Sequence, residues 1–79
     1  MNSCFRIRLR GHLWRYEREG RSCIELPANG YKSVGEILAD LGIDGEEIMM
    51  VLSGGRRLNL SHVPAPGEEL EVLPIIDGG

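Results

Sequence analysis

Apolar and polar residues alternate along "CFRIRLRG". Phe5, Ile7 and Leu9 fall on one side, and Cys4, Arg6, Arg8 and Arg10 on the other. Successive strand side chains point to opposite faces, so this pattern predicts a half-buried strand with an arginine stripe outside. "HLWRYEREG" reads as a wide hairpin connection ending at Gly20, and "RSCIEL" as a second strand with Ile24 and Leu26 inward, ended by Pro27. The period then changes. Val34, Ile37, Leu38 and Leu41 recur at helical spacing and predict a helix over about 34–41. Ser33 and Glu36 have capping-box spacing at its start. At its end Gly42 stands where a left-handed cap is wanted, and Ile43 can fold back onto the stripe. So short a helix takes its stability from packing rather than from propensity.

An acidic connection (Asp44, Glu46, Glu47) leads into "IMMVLS", a nearly continuous apolar run that suits a central strand. Gly54-Gly55 is a hairpin turn signal, "RRLNL" the returning strand, and "SHVPAPGEE" a loop broken by Pro64, Pro66 and Gly67. "ELEVLP" alternates again, with Leu70 and Val72 inward and Glu71 and Leu73 outward. The order strand, strand, helix, strand, strand, strand predicts a two-layer α+β domain: a mixed sheet of about five strands covered on one face by one helix. That is the order of the β-grasp fold.

Composition narrows what such a domain does. Seventy-nine residues make one domain near the lower limit for a self-sufficient core, with little room for a buried catalytic cleft as well. A binding module, carrier or subunit is expected, and not an enzyme in its own right. Net charge is −3, split as +4 over residues 1–32 and −7 over residues 33–79. Two solvated faces of one sheet account for the split, and an acidic chain is a poor non-specific ligand for nucleic acid. Cys4 and Cys23 form no CxxC pair and follow no apolar signal segment. They read as reduced thiols of a cytoplasmic protein, with a disulfide between neighbouring strands as the alternative. His12 and His62 make no ligand spacing with them, so no metal site is expected, and no run approaches the ~20 apolar residues of a membrane span.

The end of the chain, "PIIDGG", raises the functional question. Either it frays like many termini, or the terminal carboxylate is a working group that has to be thin and mobile. Residues 1–73 are expected to form the domain and residues 74–79 a flexible tail. Pro74 would stiffen the exit. Ile75 and Ile76 have no obvious core to join and read as contacts for a partner's groove. Gly78 and Gly79 lack a Cβ and can pass a channel closed to other residues. Six extended residues from Pro74 reach about 20 Å. Leu73, with one of Leu58 and Leu60, is expected to form a docking patch on the open sheet face, beside the arginine stripe.

The stretch "GRRLNLSHVPAPGEELEVLPIIDGG" resembles the C-terminal part of the MoaD/ThiS group, the small sulfur carriers of molybdopterin and thiamine biosynthesis. The shared features are Gly54-Gly55, the short strand at Leu58–Leu60, Gly67-Glu68 before the last strand, Leu73-Pro74, and the terminal Gly78-Gly79. "ELP" at 25–27, the "SVGEILADLGI" helix and "GEEIMMVLSGG" extend the resemblance over essentially the whole chain. Length and the placing of "LP" bring it nearest the molybdopterin-synthase small subunit. The resemblance implies a ubiquitin-like fold and no bound cofactor. It also implies a cycle in which a ubiquitin-activating-like adenylyltransferase uses ATP to adenylate Gly79, after which sulfur from a desulfurase or rhodanese-type donor gives a thiocarboxylate. Gly78 and Gly79 would then be the reacting end, Leu73, Pro74, Ile75, Ile76, Asp77, Leu58 and Leu60 the partner contacts, and a synthase large subunit the acceptor. Sulfur delivery to thiamine or to tRNA, conjugation to lysines as a protein modifier, and a passive interaction module are the competing expectations.

Overall fold

The computed structural model describes residues 3–28 and 30–76. Alternation makes the first strand, β1 (Cys4–Leu9), and pairs it antiparallel with β2 (Cys23–Pro27), Ile7 opposite Ile24 and Phe5 opposite Leu26. The helix, α1, spans Val34–Asp40, and β3 (Ile48–Ser53), β4 (Arg56–Leu58) and β5 (Glu69–Pro74) follow. The five strands form one mixed sheet in the order β2-β1-β5-β3-β4, with β5 parallel to β1 and antiparallel to β3. This is the ubiquitin-like β-grasp arrangement, one helix laid across one face.

The core lies between that face and the helix. Phe5, Ile7, Leu9, Ile24, Val51, Leu70 and Val72 meet Val34, Ile37, Leu38, Leu41 and Ile43, all buried. Each such side chain contributes about 1.5–3 kcal/mol on leaving water, which is what holds a seven-residue helix too short to persist alone. The capping box forms as expected: Ser33 Oγ accepts from the Glu36 N–H, and Glu36 accepts from the Ser33 N–H. Two further N–H groups of the first turn, those of Val34 and Gly35, donate to the carbonyls of His62 and Leu60. At the far end the Gly42 N–H donates to the Ala39 carbonyl and the Ile43 N–H to Leu38, a Schellman closure with Gly42 at φ +89°.

The strand register decides between the two readings of the cysteines, and the β1–β2 connection departs from the sequence expectation. Cys4 stands opposite Pro27 and Cys23 opposite Arg8, four positions apart along the ladder. At about 3.3 Å per residue that is roughly 13 Å, beyond the reach of a disulfide, and both thiols are free. The β1–β2 connection is also more built than a wide turn. It contains a 3₁₀ turn at Leu13–Arg15 whose Leu13 is fully buried, and it encloses the carboxylate of Glu17. That carboxylate accepts from the N–H groups of Glu19 and Arg21 and from the Arg21 guanidinium at 3.0 and 3.2 Å.

The Arg21 hydrogen bonds outweigh the cost of burial and hold the Glu17 pKa at about 2 rather than 4.5. A depressed carboxylate stabilises the fold above its unfolded pKa, and that contribution is lost as pH falls from about 4.5 towards 2. Glu17→Gln is therefore expected to lower stability near neutral pH and to lose less on acidification than the parent chain. Urea unfolding of both proteins between pH 7 and pH 2 checks this; parallel profiles would show that the ionised carboxylate does not hold the loop.

Candidate functional site

The tail leaves from the middle of the sheet. Strand β5 has a neighbour on each side as far as Val72, which lies between Leu9 and Val51, and β3 continues beside it to its end, where Pro74 lies opposite Ile48. Pro74, expected as the first residue of the tail, is instead the last residue of β5 and is buried. The reason is the close approach of Gly11, where a Cβ would stand 2.9 Å from the Pro74 ring. After Pro74 one more backbone bond, Ile75 N–H to the Glu47 carbonyl at 3.0 Å, ties the chain to the 3₁₀ turn Gly45–Glu47 that precedes β3. Ile75 and Ile76 are then 44% and 77% exposed. Asp77, Gly78 and Gly79 lie outside the described residues. The five residues from Ile75 span at most about 17 Å when extended.

Strand pairing shows what surrounds this exit on the open face. Leu73 stands opposite Met50, and the next open-face position of β3, Leu52, stands opposite Glu71 and Arg57. These three half-buried apolar side chains form a patch next to the tail. Leu58 is not part of it: it pairs with Val51, so it faces the helix and packs at the edge of the core. Leu60 lies beyond β4, above the start of α1. Both line a groove of 190 Å³ at the β3–β4 edge, which meets the patch at Met50 and also includes Met49. The residues that sequence reasoning missed, Met50 and Leu52, come from "IMMVLS". A bulge between Ile48 and Met50 leaves Met49 as the extra residue and resets which side chains face outward.

The arginine stripe shares the open face but is already engaged. Arg6 lies 3.5 Å from Glu25 and Arg10 3.0 Å from Glu71; Arg8 Nε is 2.9 Å from Glu69, close enough to pair though not aligned as a hydrogen bond. Such exposed pairs are worth at most about 1 kcal/mol each, yet together they cancel the positive charge of the stripe.

Other polar clusters have structural roles. Glu68 accepts from the Ala65 N–H and contacts His62 at 3.0 Å, closing the loop before β5. Burial pushes the Glu68 carboxyl up, but the contacts with His62, Ala65 and Ser53 outweigh it and hold it below the usual range. Here the carboxylate stands between Ser53 and His62, whereas a nucleophilic triad needs the imidazole in the middle. No three His, Cys, Asp or Glu groups among the described residues are placed to hold a metal. No helix among them is long and apolar enough to cross a membrane.

A five-stranded sheet with β5 at its centre, one helix across one face and a tail leaving the central strand is the ubiquitin-like plan, and the Mut7-C ubiquitin family matches residues 4–78. The chain belongs to that family. No curated protein matches this Mut7-C ubiquitin chain. Among solved structures it is similar to small archaeal modifier protein 1 of Haloferax volcanii, at 21% identity and a TM-score of 0.69, covering 95% of this chain and 100% of the other. The solution structure of the Haloferax volcanii HVO 2177 protein is similar at 20% identity and a TM-score of 0.66, covering 96% and 86%. At these identities the likeness shows the fold, which the MoaD/ThiS resemblance had implied.

Gly11 sits at φ +58° against Pro74, so Gly11→Ala adds both a left-handed penalty and a clash beneath the tail. Gly20, at φ +70° with open space around it, isolates the first effect. Each alanine is expected to cost about 1–2 kcal/mol from conformation alone, with Gly11→Ala the more damaging. Urea unfolding of the two variants side by side checks this; equal losses would mean that the Pro74 contact carries nothing.

Proposed function

We propose that this Mut7-C ubiquitin chain is a sulfur carrier that works through the carboxylate of Gly79. An ATP-dependent enzyme of the ubiquitin-activating kind takes up the tail; a carboxylate oxygen attacks the α-phosphorus and pyrophosphate leaves. Hydrosulfide then displaces AMP from the acyl carbon, and the resulting thiocarboxylate gives its sulfur to an acceptor, with a molybdopterin-type synthase large subunit as the first candidate. The chain itself supplies reach and position, not catalytic groups, and binds no cofactor. The observation that carries the reading is the manner in which β5 ends: held on both sides through Val72 and by β3 through Pro74, released after the Ile75 N–H bond, and continued by exposed isoleucine towards Gly78-Gly79. A rigid body with a narrow tail is what delivery of a carboxylate into an enclosed site requires. The Leu73, Met50 and Leu52 patch gives the receiving enzyme a place to rest.

A second reading is favoured by the name of a similar structure, the small archaeal modifier protein. In it the same activated carboxylate is transferred to lysine amines.

Intact mass of the chain purified from cells that make its activating enzyme separates these readings. Sulfur for oxygen adds about 16 Da, as does methionine oxidation, so a fragment spectrum has to place the increment on Gly79. Lysine-linked conjugates without that increment favour the modifier, and a chain that continues past Gly79 in the cell sinks both. Gly78→Ala is expected to slow ATP-dependent activation roughly 10- to 100-fold with unfolding unchanged, and removal of Gly79 to abolish sulfur loading.

A further inference from the structure

Exposed large apolar side chains are not spread evenly over this protein. Of the eight among the described residues, Trp14, Tyr16, Met49, Ile75 and Ile76 belong to the elements gathered at one end of the sheet, where the tail leaves. The topology produces this. Parallel β1 and β5 finish at the same end, and antiparallel β3 begins there. The β1–β2 loop and the Gly45–Glu47 turn therefore stand on opposite sides of the exit: the loop meets Pro74 through Gly11, and the turn holds Ile75 through Glu47.

The loop is rigidly built for what it displays. Leu13 anchors it in the core, the Glu17 carboxylate binds its return, and the Arg18 N–H donates to the Leu41 carbonyl at the end of α1. Its outer surface carries Trp14 and Tyr16. Arg15 lies over the Trp14 ring, 5.5 Å from its centroid, and neither Arg15 nor Arg18 makes an ion pair with a described residue. The turn across the exit is acidic, with Asp44 and Glu46 exposed. The surface around the tail is thus basic and aromatic on one side and acidic on the other.

Resting on the function proposed above, we propose that the β1–β2 loop is a recognition element for the activating enzyme, seating Trp14 and Arg15 in an apolar, acid-lined site beside the channel that takes the tail. Tryptophan, tyrosine and arginine are the residues that most often concentrate interface energy, and a polarised surface fixes the orientation of approach. Binding through the loop and chemistry through the glycines are then separable.

Trp14 is the only tryptophan in the chain, so 5-fluorotryptophan labelling gives one ¹⁹F resonance to follow as the purified activating enzyme is added. The resonance is expected to shift or broaden with the full chain and equally with a variant lacking Gly78 and Gly79. In ATP–pyrophosphate exchange, Trp14→Ala and Arg15→Glu are each expected to raise KM for the carrier about tenfold or more with kcat within about twofold. The parent KM should rise with salt, less so for Arg15→Glu. Unchanged KM in both folded variants, or a ¹⁹F resonance that ignores an enzyme adenylating the chain, overturns the proposal. So does a labelled single-stranded RNA that binds the parent and not these variants while KM stays the same. If the enzyme does not adenylate the chain, the carrier reading fails, and the ¹⁹F titration still decides: a response upholds the recognition element and silence overturns it.

Discussion

The parallel pairing of β1 with β5 is the constraint on which the rest of the molecule depends. Parallel neighbours cannot be joined by a tight turn, so everything between Leu9 and Glu69 serves as the crossover that brings the last strand beside the first. That placing gives β5 a partner on both sides and makes it the most interior strand, with Leu70 and Val72 fully buried. It also makes the boundary of the folded body abrupt. An edge strand would fray by degrees, whereas β5 is held through Pro74 and then leaves the sheet.

With so few elements, loops take on work that larger domains give to further secondary structure. The carbonyls of Leu60 and His62 satisfy the first N–H groups of α1, and the Leu41 carbonyl at its other end receives the Arg18 N–H. Glu17 shows the same economy. A buried carboxylate is costly unless its oxygens are occupied, and here two backbone N–H groups and one guanidinium occupy them. The loop it stabilises is the one that packs against the base of the tail.

What could be read from the sequence followed from local rules. The alternation of "CFRIRLRG" and "ELEVLP", the Ser33–Glu36 box and the Gly42–Ile43 closure each depend on a few neighbouring residues, and each forms as expected. What escaped depends on contacts between elements. "IMMVLS" has no alternation, so nothing local showed that a bulge would turn Met50 and Leu52 outward beside Leu73. Leu58 has an open-face look in "RRLNL" until its pairing with Val51 turns it to the core. Pro74 reads as an exit residue until Gly11 is seen beneath it. The Glu17 carboxylate is invisible in a run as polar as "YEREGR" because its partners are chiefly backbone groups and one arginine of a loop whose path the pattern does not specify.

The ion pairs of the open face matter most for what they remove. Arg6, Arg8 and Arg10 looked like the dominant positive feature, but Glu25, Glu69 and Glu71 answer them across adjacent strands. Paired charges a few ångströms apart produce little field at a distance, particularly in salt. The long-range potential near the tail is therefore left to the loops: Arg15 on one side, Asp44 and Glu46 on the other. Neutralising the flat face and polarising the end leave a charge difference across the exit of the tail, and such a difference fixes how an approaching partner is turned about it. The chain's acidic total of −3 conceals this arrangement, since net charge says nothing about where the unpaired groups stand.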